Sequence, residues 1–121
     1  MRVLIVDDDQ LFVEAVDALV TEEGHSVIGR AGNGRDGVDL ALALRPDVVL
    51  MDMEMPIMDG VRATRETAQL EGTEVVVLSG SDIEAHVQGA RTAGAVAYIR
   101  KERYREDLPP VLRTLAEAHR S

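Results

Sequence analysis

The chain has 121 residues, of which 45% are hydrophobic and 29% are charged, values typical of one globular domain with its own core. The formal net charge of −9 argues against direct nucleic-acid binding by this domain, since surfaces that hold a phosphate backbone are basic. No apolar run approaches the ~20 residues of a membrane span, and no cysteine supplies a disulfide or a thiol, so we expect a cytoplasmic protein.

The first half of the chain predicts three strands and two helices in alternation. Short apolar runs bounded by polar or turn residues predict strands at Arg2–Val6, at 25–30 and at Val48–Asp52. Apolar residues at helical spacing mark a helix after each of the first two strands. The first helix carries Leu11, Phe12, Ala15, Val16 and Leu19 and is closed by Gly24, and the second carries Val38, Ala41 and Leu42 and ends before Pro46.

The second half continues the alternation with three helices and two strands. The same patterns predict a helix over 61–69, a strand over 74–78 and a strand over 96–99. The other two helices are marked by Ile83, Val87 and Ala90, with Gly94 at the carboxyl end, and by Leu108, Val111, Leu112 and Leu115, with Pro109 and Pro110 at the start. Five strand–helix repeats with short connections predict a parallel sheet covered by helices on both faces, in one domain over residues 1–121.

The most informative stretch is the run Val48–Asp52 and the loop that follows it. An apolar run that stops at a carboxylate is expected of a strand buried on both faces of a parallel sheet. Pro56 cannot donate to a β-ladder and Gly60 tolerates a positive φ, so Asp52 is expected to be the last strand residue before a tight turn. Ligands of open α/β sheets bind at the carboxyl ends of the strands, where Asp52 is expected to lie. An isolated aspartate at such a position is nevertheless more often a turn or cap residue.

Asp52 is one of several polar residues that follow the predicted strands. The others are Asp7, Asp8 and Asp9 after the first strand, Ser79 after the fourth, and Lys101, the only lysine in the chain, after the fifth. Because the carboxyl ends of parallel strands meet at one edge of a sheet, we expect these groups to converge. Carboxylates about 4 Å apart repel by about 4 kcal/mol at an effective dielectric of 20, so their cluster attracts a divalent cation, and oxygen ligands suit Mg²⁺ or Mn²⁺. Asp9 is expected to cap the first helix instead.

The same groups are suited to phosphoryl transfer. A carboxylate beside a divalent cation can attack a phosphoryl group, as aspartyl-phosphate enzymes do. The charge that develops on the phosphoryl oxygens needs preorganised donors, which the cation, the Lys101 ammonium and the Ser79 hydroxyl supply. Gly80 leaves space and a backbone N–H beside the phosphoryl group. The combination of these residues at several strand ends favours chemistry over the structural role that each could have alone.

Four motifs in the chain resemble those of two-component response-regulator receiver domains. They are Val-Asp-Asp-Asp at 6–9, Asp-Met-Glu-Met-Pro-Ile-Met-Asp-Gly at 52–60, Leu-Ser-Gly at 78–80 and Ala-Gly-Ala-Val-Ala-Tyr-Ile-Arg-Lys at 93–101. The second motif is the most specific, and the resemblance covers essentially the whole chain. It implies a flavodoxin-like, doubly wound sheet of five parallel strands in the order 2-1-3-4-5 with five helices, in which the first and third strands are neighbours.

The resemblance implies the roles of the acidic residues. Asp52 would be the phosphoacceptor, charged from a phosphohistidine on a sensor histidine kinase. Asp8, Asp52 and the backbone carbonyl of Glu54 would bind Mg²⁺ directly, and Asp7 would act through a water molecule.

The resemblance also implies a conformational switch. Ser79 and Lys101 would hold the phosphoryl oxygens, and Tyr98 would swing inward as Ser79 moves, whereas spacing alone favours a core aromatic at this position. The acyl phosphate would shift the domain between two packings, read out on the fourth helix, the fifth strand and the fifth helix. Helices one and five form an alternative surface, for a homodimer, although Leu11, Phe12 and the leucines of the fifth helix are expected to face mostly the core.

A few positions depart from the common receiver pattern or add to it. Glu102 stands where many receivers have a proline, and a cis peptide is not expected there because a non-proline cis bond costs about 2.5–4 kcal/mol. Lys101 followed by Glu102 is similar to receivers joined to helix-turn-helix transcription domains, which predicts such an output domain, C-terminal and outside this chain. Glu54 and Ser81 occupy positions that tune phosphoryl hydrolysis in the family. Ligand spacing is absent among the histidines, so surface or loop positions are expected for His25, His86 and His119.

Two other functions remain open at this point. A phosphohydrolase would use Asp7 and Asp9 as nucleophile and acid–base, but this leaves the loop after Asp52 unexplained. A receiver-like interaction module would not accept phosphate at all. A dinucleotide-binding protein is disfavoured, because its first strand–helix turn needs glycines where this chain has three aspartates.

Overall fold

The computed structural model describes residues 1–81 and 83–120, in which strands and helices alternate along the chain. The strands are β1 (Arg2–Val6), β2 (Ser26–Ala31), β3 (Val48–Asp52), β4 (Glu74–Ser79) and β5 (Ala97–Arg100). The helices are α1 (Gln10–Glu22), α2 (Gly34–Leu44), α3 (Gly60–Ala68), α4 (Glu84–Ala93) and α5 (Tyr104–Arg120), and a 3₁₀ turn, Lys101–Arg103, precedes α5. The strands pair in parallel in the order β2-β1-β3-β4-β5, which confirms the predicted doubly wound sheet.

The hydrophobic core forms two layers, because alternate residues of each strand point to opposite faces of the sheet. On one face, Leu4 and Met51 pack with the small residues Ala41, Ala63 and Ala90 of α2, α3 and α4. The layer on the other face comprises Val3, Ile5, Val48, Leu50, Val76, Leu78 and Ile99 of the strands, Val13, Val16 and Val20 of α1, and Leu108 and Leu112 of α5. The central strands are therefore covered on both sides, and polar groups are left at their carboxyl ends.

Helix α3 begins in direct contact with the end of β3. A Cβ atom added at Gly60 would overlap the backbone carbonyl of Asp52 and the Cα of Met53, so only glycine fits at this position. The Gly60 N–H also donates to the Met53 carbonyl at 3.0 Å, which closes the loop. Gly60 was expected to tolerate a positive φ, but it does not adopt one, and the close approach of two backbone segments is what requires glycine here. The left-handed residue of this loop is Ile57, at a φ of 71°.

Helix α5 begins four residues before Leu108, so the predicted start of this helix is wrong. Pro109 and Pro110 lie inside α5, where each lacks the N–H that would bond to the carbonyl four residues earlier. The helix continues through them because Leu108 and Leu112 are fully buried against the sheet. Tertiary packing thus outweighs the local preference of proline for the first helical position.

Several residues that were predicted to mark helix cores are exposed. The exposed fraction is 81% for Leu11, 50% for Leu42 and 58% for Ile83. Ile83 has an extended backbone and lies at the N-cap of α4, before its first turn. Leu11 faces away from the sheet because α1 is buried through another set of residues, Val13, Val16 and Val20. Within the described residues, no helix is both long enough and apolar enough to cross a membrane.

Candidate functional site

The carboxyl ends of four neighbouring strands form one edge of the sheet. Asp7 follows β1, Asp52 ends β3, Ser79 ends β4 and Lys101 follows β5. Parallel pairing of β1 with β3, β3 with β4 and β4 with β5 places these ends side by side. The fold therefore brings together residues that are up to 94 positions apart in the sequence, from Asp7 to Lys101.

Three carboxylates meet at this edge. One oxygen from each of Asp7, Asp8 and Asp52 lies within 4.8 Å of the other two. Asp7 and Asp52 are buried, at 4% and 5% exposure, while Asp8 is exposed. Asp7 is also oriented by the backbone N–H of Asp9, which donates to its Oδ1 at 2.9 Å. A set of oxygen donors at this spacing, open to water on one side, fits a hard divalent cation such as Mg²⁺.

The Lys101 ammonium supplies the positive charge of the site. Its Nζ lies 2.8 Å from Asp7 Oδ2 and 3.4 Å from Asp52 Oδ1. The same Nζ lies 4.7 Å from the centre of the Phe12 ring. With 22% of its side chain exposed, Lys101 is held between two buried carboxylates and an aromatic face.

The surroundings of Asp52 oppose its ionisation. Burial raises the pKa of Asp52 to about 6, and the nearby Asp7 carboxylate contributes to the increase. The Lys101 ammonium and the Glu54 backbone N–H act in the opposite direction and offset part of the shift. For Lys101, burial by itself lowers the pKa, but hydrogen bonding and attraction to Asp7 and Asp52 outweigh it, so the pKa is raised.

The sequence of this domain matches a known family over nearly its full length. Residues 3–113 match the family described as the response regulator receiver domain. The chain belongs to this family. The family is that of two-component signalling proteins, as the motifs around Asp52 and Lys101 had indicated.

Two relatives with similar sequences are longer than this chain. The chain is 39% identical over 111 residues to the transcriptional regulatory protein PdtaR of Mycobacterium tuberculosis (strain CDC 1551 / Oshkosh), covering 92% of this chain and 54% of that protein. It is 42% identical over 108 residues to protein-glutamate methylesterase/protein-glutamine glutaminase 1 of Pseudomonas aeruginosa, covering 84% of this chain and 28% of that protein. The receiver domain thus spans about half the length of the first relative and less of the second.

Solved receiver structures share the fold throughout. The signal receiver domain of NarL from Mycobacterium tuberculosis superposes with a TM-score of 0.89 at 32% identity, covering 96% of this chain and 95% of that one. The response regulator domain of Thermotoga maritima CheB superposes with a TM-score of 0.86 at 28% identity, covering 100% and 97% of the two chains. The observed strand order is therefore the arrangement of known receivers.

In this receiver domain, Ser81 connects Ser79 to Tyr98. Ser79 is buried at 1% exposure, and its Oγ accepts a hydrogen bond from the Ser81 N–H at 3.2 Å. The hydroxyl of Tyr98, which is half-buried, donates to the Ser81 carbonyl at 2.6 Å. The Nδ1 atom of His86 lies 2.8 Å from Ser81 Oγ. Ser81 therefore joins the two residues predicted to form the switch, Ser79 and Tyr98, and no direct hydrogen bond connects these two in the described part of the chain.

Other predicted site residues take simpler positions. Asp9 caps α1, as predicted, with its Oδ1 accepting the Phe12 N–H at 3.2 Å. The side chain of Glu54 is exposed, and the prediction concerns only its backbone carbonyl. A Cβ atom at Gly80 would meet nothing within 4 Å, so the protein itself does not require glycine there.

Two contacts near the site were not predicted from sequence. Phe12 was assigned to the core, and no pattern along the chain indicates that its ring faces Lys101. His86 was assigned to a surface or loop position, yet it lies on α4 with its ring against Ser81. Both contacts depend on how a helix is rotated against the sheet edge, and local spacing does not specify that rotation.

Proposed function

We propose that Asp52 of this receiver domain accepts a phosphoryl group from a phosphohistidine on a sensor histidine kinase. The observation that carries the proposal is the position of the Asp52 carboxylate. It is 5% exposed, 3.4 Å from the only lysine of the chain and clustered with Asp7 and Asp8. Capping of the following helix does not explain this carboxylate, because Asp59 caps α3 by accepting the Arg62 N–H at 2.9 Å.

The proposed reaction is a displacement at phosphorus. A carboxylate oxygen of Asp52 attacks the phosphorus atom of the phosphohistidine, and a P–O bond forms as the P–N bond breaks. The electron pair of the P–N bond stays on the imidazole nitrogen, which takes a proton. The product is an acyl phosphate on Asp52 and a free histidine on the kinase.

We assign the Mg²⁺ site to Asp7, Asp8, Asp52 and the Glu54 backbone carbonyl. The three carboxylates that lie within 4.8 Å of one another support this assignment, since their mutual repulsion favours a cation. When bound there, Mg²⁺ would withdraw charge from the phosphoryl oxygens. Mn²⁺ suits the same oxygen donors.

Lys101 and Ser79 are assigned to the phosphoryl oxygens. Lys101 can donate a hydrogen bond to a phosphoryl oxygen if it gives up its contact with Asp52, the longer of its two carboxylate contacts. The Ser79 hydroxyl donates a hydrogen bond to another phosphoryl oxygen, and Gly80, the next residue, has a backbone N–H beside it. Together these groups hold negative charge that develops in the transition state.

The acyl phosphate is proposed to change the packing of the domain. When Ser79 moves toward the phosphoryl group, its hydrogen bond to Ser81 is disturbed, and Ser81 also holds the Tyr98 hydroxyl. Tyr98 then moves inward, and the surface of α4, β5 and α5 changes for a partner. The similarity to PdtaR, a transcriptional regulatory protein, favours an output domain that controls transcription. The proposed site of action is the cytoplasm, which the lack of cysteine fits.

Incubation with acetyl phosphate and Mg²⁺, followed by intact mass measurement and peptide mapping, tests the proposal. We expect the mass of one phosphoryl group, mapped to Asp52 and absent from Asp52→Asn. Asp9→Asn is the matched control, since asparagine keeps the helix cap while it removes a neighbouring charge. Phosphate on Asp7 would support the phosphohydrolase instead, and no mass gain in the unmodified protein would support a non-phosphorylated interaction module.

A further inference from the structure

The only phenylalanine of the chain lies against its only lysine. The centre of the Phe12 ring is 4.7 Å from Lys101 Nζ, within the range in which an ammonium is attracted to an aromatic face. Phe12 is on α1 and Lys101 follows β5, so the contact joins the first helix to the end of the last strand.

The Phe12 ring is fixed from two sides. Its backbone N–H donates to the capping carboxylate of Asp9, which sets the start of α1. The ring also packs against Tyr104, with the ring centres 5.3 Å apart and the planes at 75°, the edge-to-face arrangement that aromatic pairs favour. Tyr104 is the first residue of α5, directly after the 3₁₀ turn that carries Lys101. The ammonium and the ring are thus held by adjoining segments.

We propose that Phe12 is a positioning residue. Its ring face holds the Lys101 ammonium beside the cluster of three carboxylates during phosphoryl transfer to Asp52. The inference rests on the proposed function, because it assigns the residue that orients the phosphoryl-binding lysine. Lys101 has three partners, and two of them, Asp7 and Asp52, are also the proposed partners of the cation and the phosphoryl group. The ring competes for neither, so it keeps the ammonium in place when the carboxylates change partners.

The composition of the chain allows the contact between the Phe12 ring and the Lys101 ammonium to be tested selectively, because each residue type occurs once. Because Phe12 is the only phenylalanine, growth on fluorinated phenylalanine alters this ring alone, and because Lys101 is the only lysine, ¹³C-lysine gives one side-chain signal set. Fluorines withdraw charge from the ring face while its shape changes little, so one, two and three fluorines weaken the cation–π contact in steps.

We expect the rate of phosphorylation by acetyl phosphate with saturating Mg²⁺ to fall stepwise along the fluorine series. Loss of the aromatic face in Phe12→Leu should lower the rate roughly five- to thirtyfold, whereas Phe12→Tyr should restore most of it. In the metal-free protein, the Lys101 ε-methylene protons should show an upfield ring-current shift that Phe12→Leu abolishes. Tyr104→Leu, which removes the ring that holds Phe12, should cause a smaller loss in both measurements.

The outcomes separate the two proposals. Equal rates along the fluorine series in a protein that is phosphorylated on Asp52 would overturn the positioning role and leave the proposed function intact. A Lys101 signal that is the same in Phe12→Leu and the unmodified protein would also overturn it. Failure of the unmodified protein to take up phosphate would refute the proposed function and with it the positioning role.

Discussion

At the scale of single residues, the fold holds Asp52 in surroundings that oppose its charge. Burial and the Asp7 carboxylate raise the pKa of Asp52 to about 6, although Lys101 and the Glu54 N–H offset part of the increase. In the unfolded chain an aspartate has a pKa of about 3.9. The folded protein therefore binds a proton at Asp52 more tightly than the unfolded chain does, and ionised Asp52 lowers the free energy of unfolding.

Replacing Asp52 by asparagine should stabilise the metal-free protein at neutral pH. Because the folded pKa is raised, the stability that protonated Asp52 contributes is complete below about pH 4 and is lost as the pH rises through about 6. The gain in the free energy of unfolding of Asp52→Asn over the unmodified protein should be near zero at about pH 4 and reach about 1–3 kcal/mol above about pH 7. Urea unfolding in EDTA across this pH range measures it.

Asp59→Asn controls for the change from carboxylate to amide. It keeps the cap of α3, because asparagine also accepts the Arg62 N–H, and the side chain lies at an exposed position. This variant should show no gain that grows between about pH 4 and about pH 7. An Asp52→Asn protein that is less stable than the unmodified one at neutral pH would contradict the electrostatic explanation.

At the scale of elements, strands were more predictable than helix faces. A buried parallel strand is a short apolar run that stops at a polar residue, and Val48–Asp52 is observed with the bounds predicted for it. Helix faces depend on packing that the chain does not encode locally. Leu11 has the spacing of a core residue yet is 81% exposed, and Phe12 beside it turns toward Lys101. The start of α5 was missed for the same reason, since burial of Leu108 outweighs the prolines that follow it.

The junction of β3 and α3 leads to a prediction about two glycines. Gly60→Ala should lower the free energy of unfolding by about 3 kcal/mol or more, because its Cβ atom would overlap the Asp52 carbonyl and the backbone must move. Gly80→Ala is the matched control at the end of another strand. Its Cβ atom meets open space, so a change within about 0.5 kcal/mol is expected.

Denaturant unfolding of both glycine variants measures the difference. If Gly80→Ala keeps its stability but slows phosphorylation, the space beside Gly80 serves the phosphoryl group, as the sequence predicted, and not the fold. Equal destabilisation of the two variants would contradict the prediction that the close approach of α3 to the end of β3 requires glycine at position 60.

At the scale of the whole molecule, the sheet concentrates part of the net charge of −9 at one edge. The convergence of Asp7, Asp52 and Lys101 was predictable because parallel strands end at a common edge and each of these residues follows an apolar run. The direction of each side chain and the burial of Asp7 and Asp52 were not predictable, since both depend on the contacts between elements. The binding of Mg²⁺ and phosphate by these residues stays a prediction.

Metal binding should stabilise the entire fold, because a ligand that binds only the folded state raises the free energy of unfolding by linkage. At a Mg²⁺ concentration a hundredfold above its Kd, the expected gain is about 2.7 kcal/mol, read as an increase in Tm. Thermal unfolding of the unmodified protein with and without Mg²⁺ measures this gain.

Asp8→Ala and Asp9→Ala should differ both in stability without metal and in the increase in Tm that Mg²⁺ causes. Asp9→Ala removes the α1 cap and lowers the free energy of unfolding by about 1 kcal/mol without metal, yet it keeps the response to Mg²⁺. Asp8→Ala, at an exposed position beside Asp7 and Asp52, should unfold at no lower temperature without metal but lose most of the response. Equal Mg²⁺ responses of the two variants in thermal unfolding would mean that the wrong aspartate has been assigned to the metal.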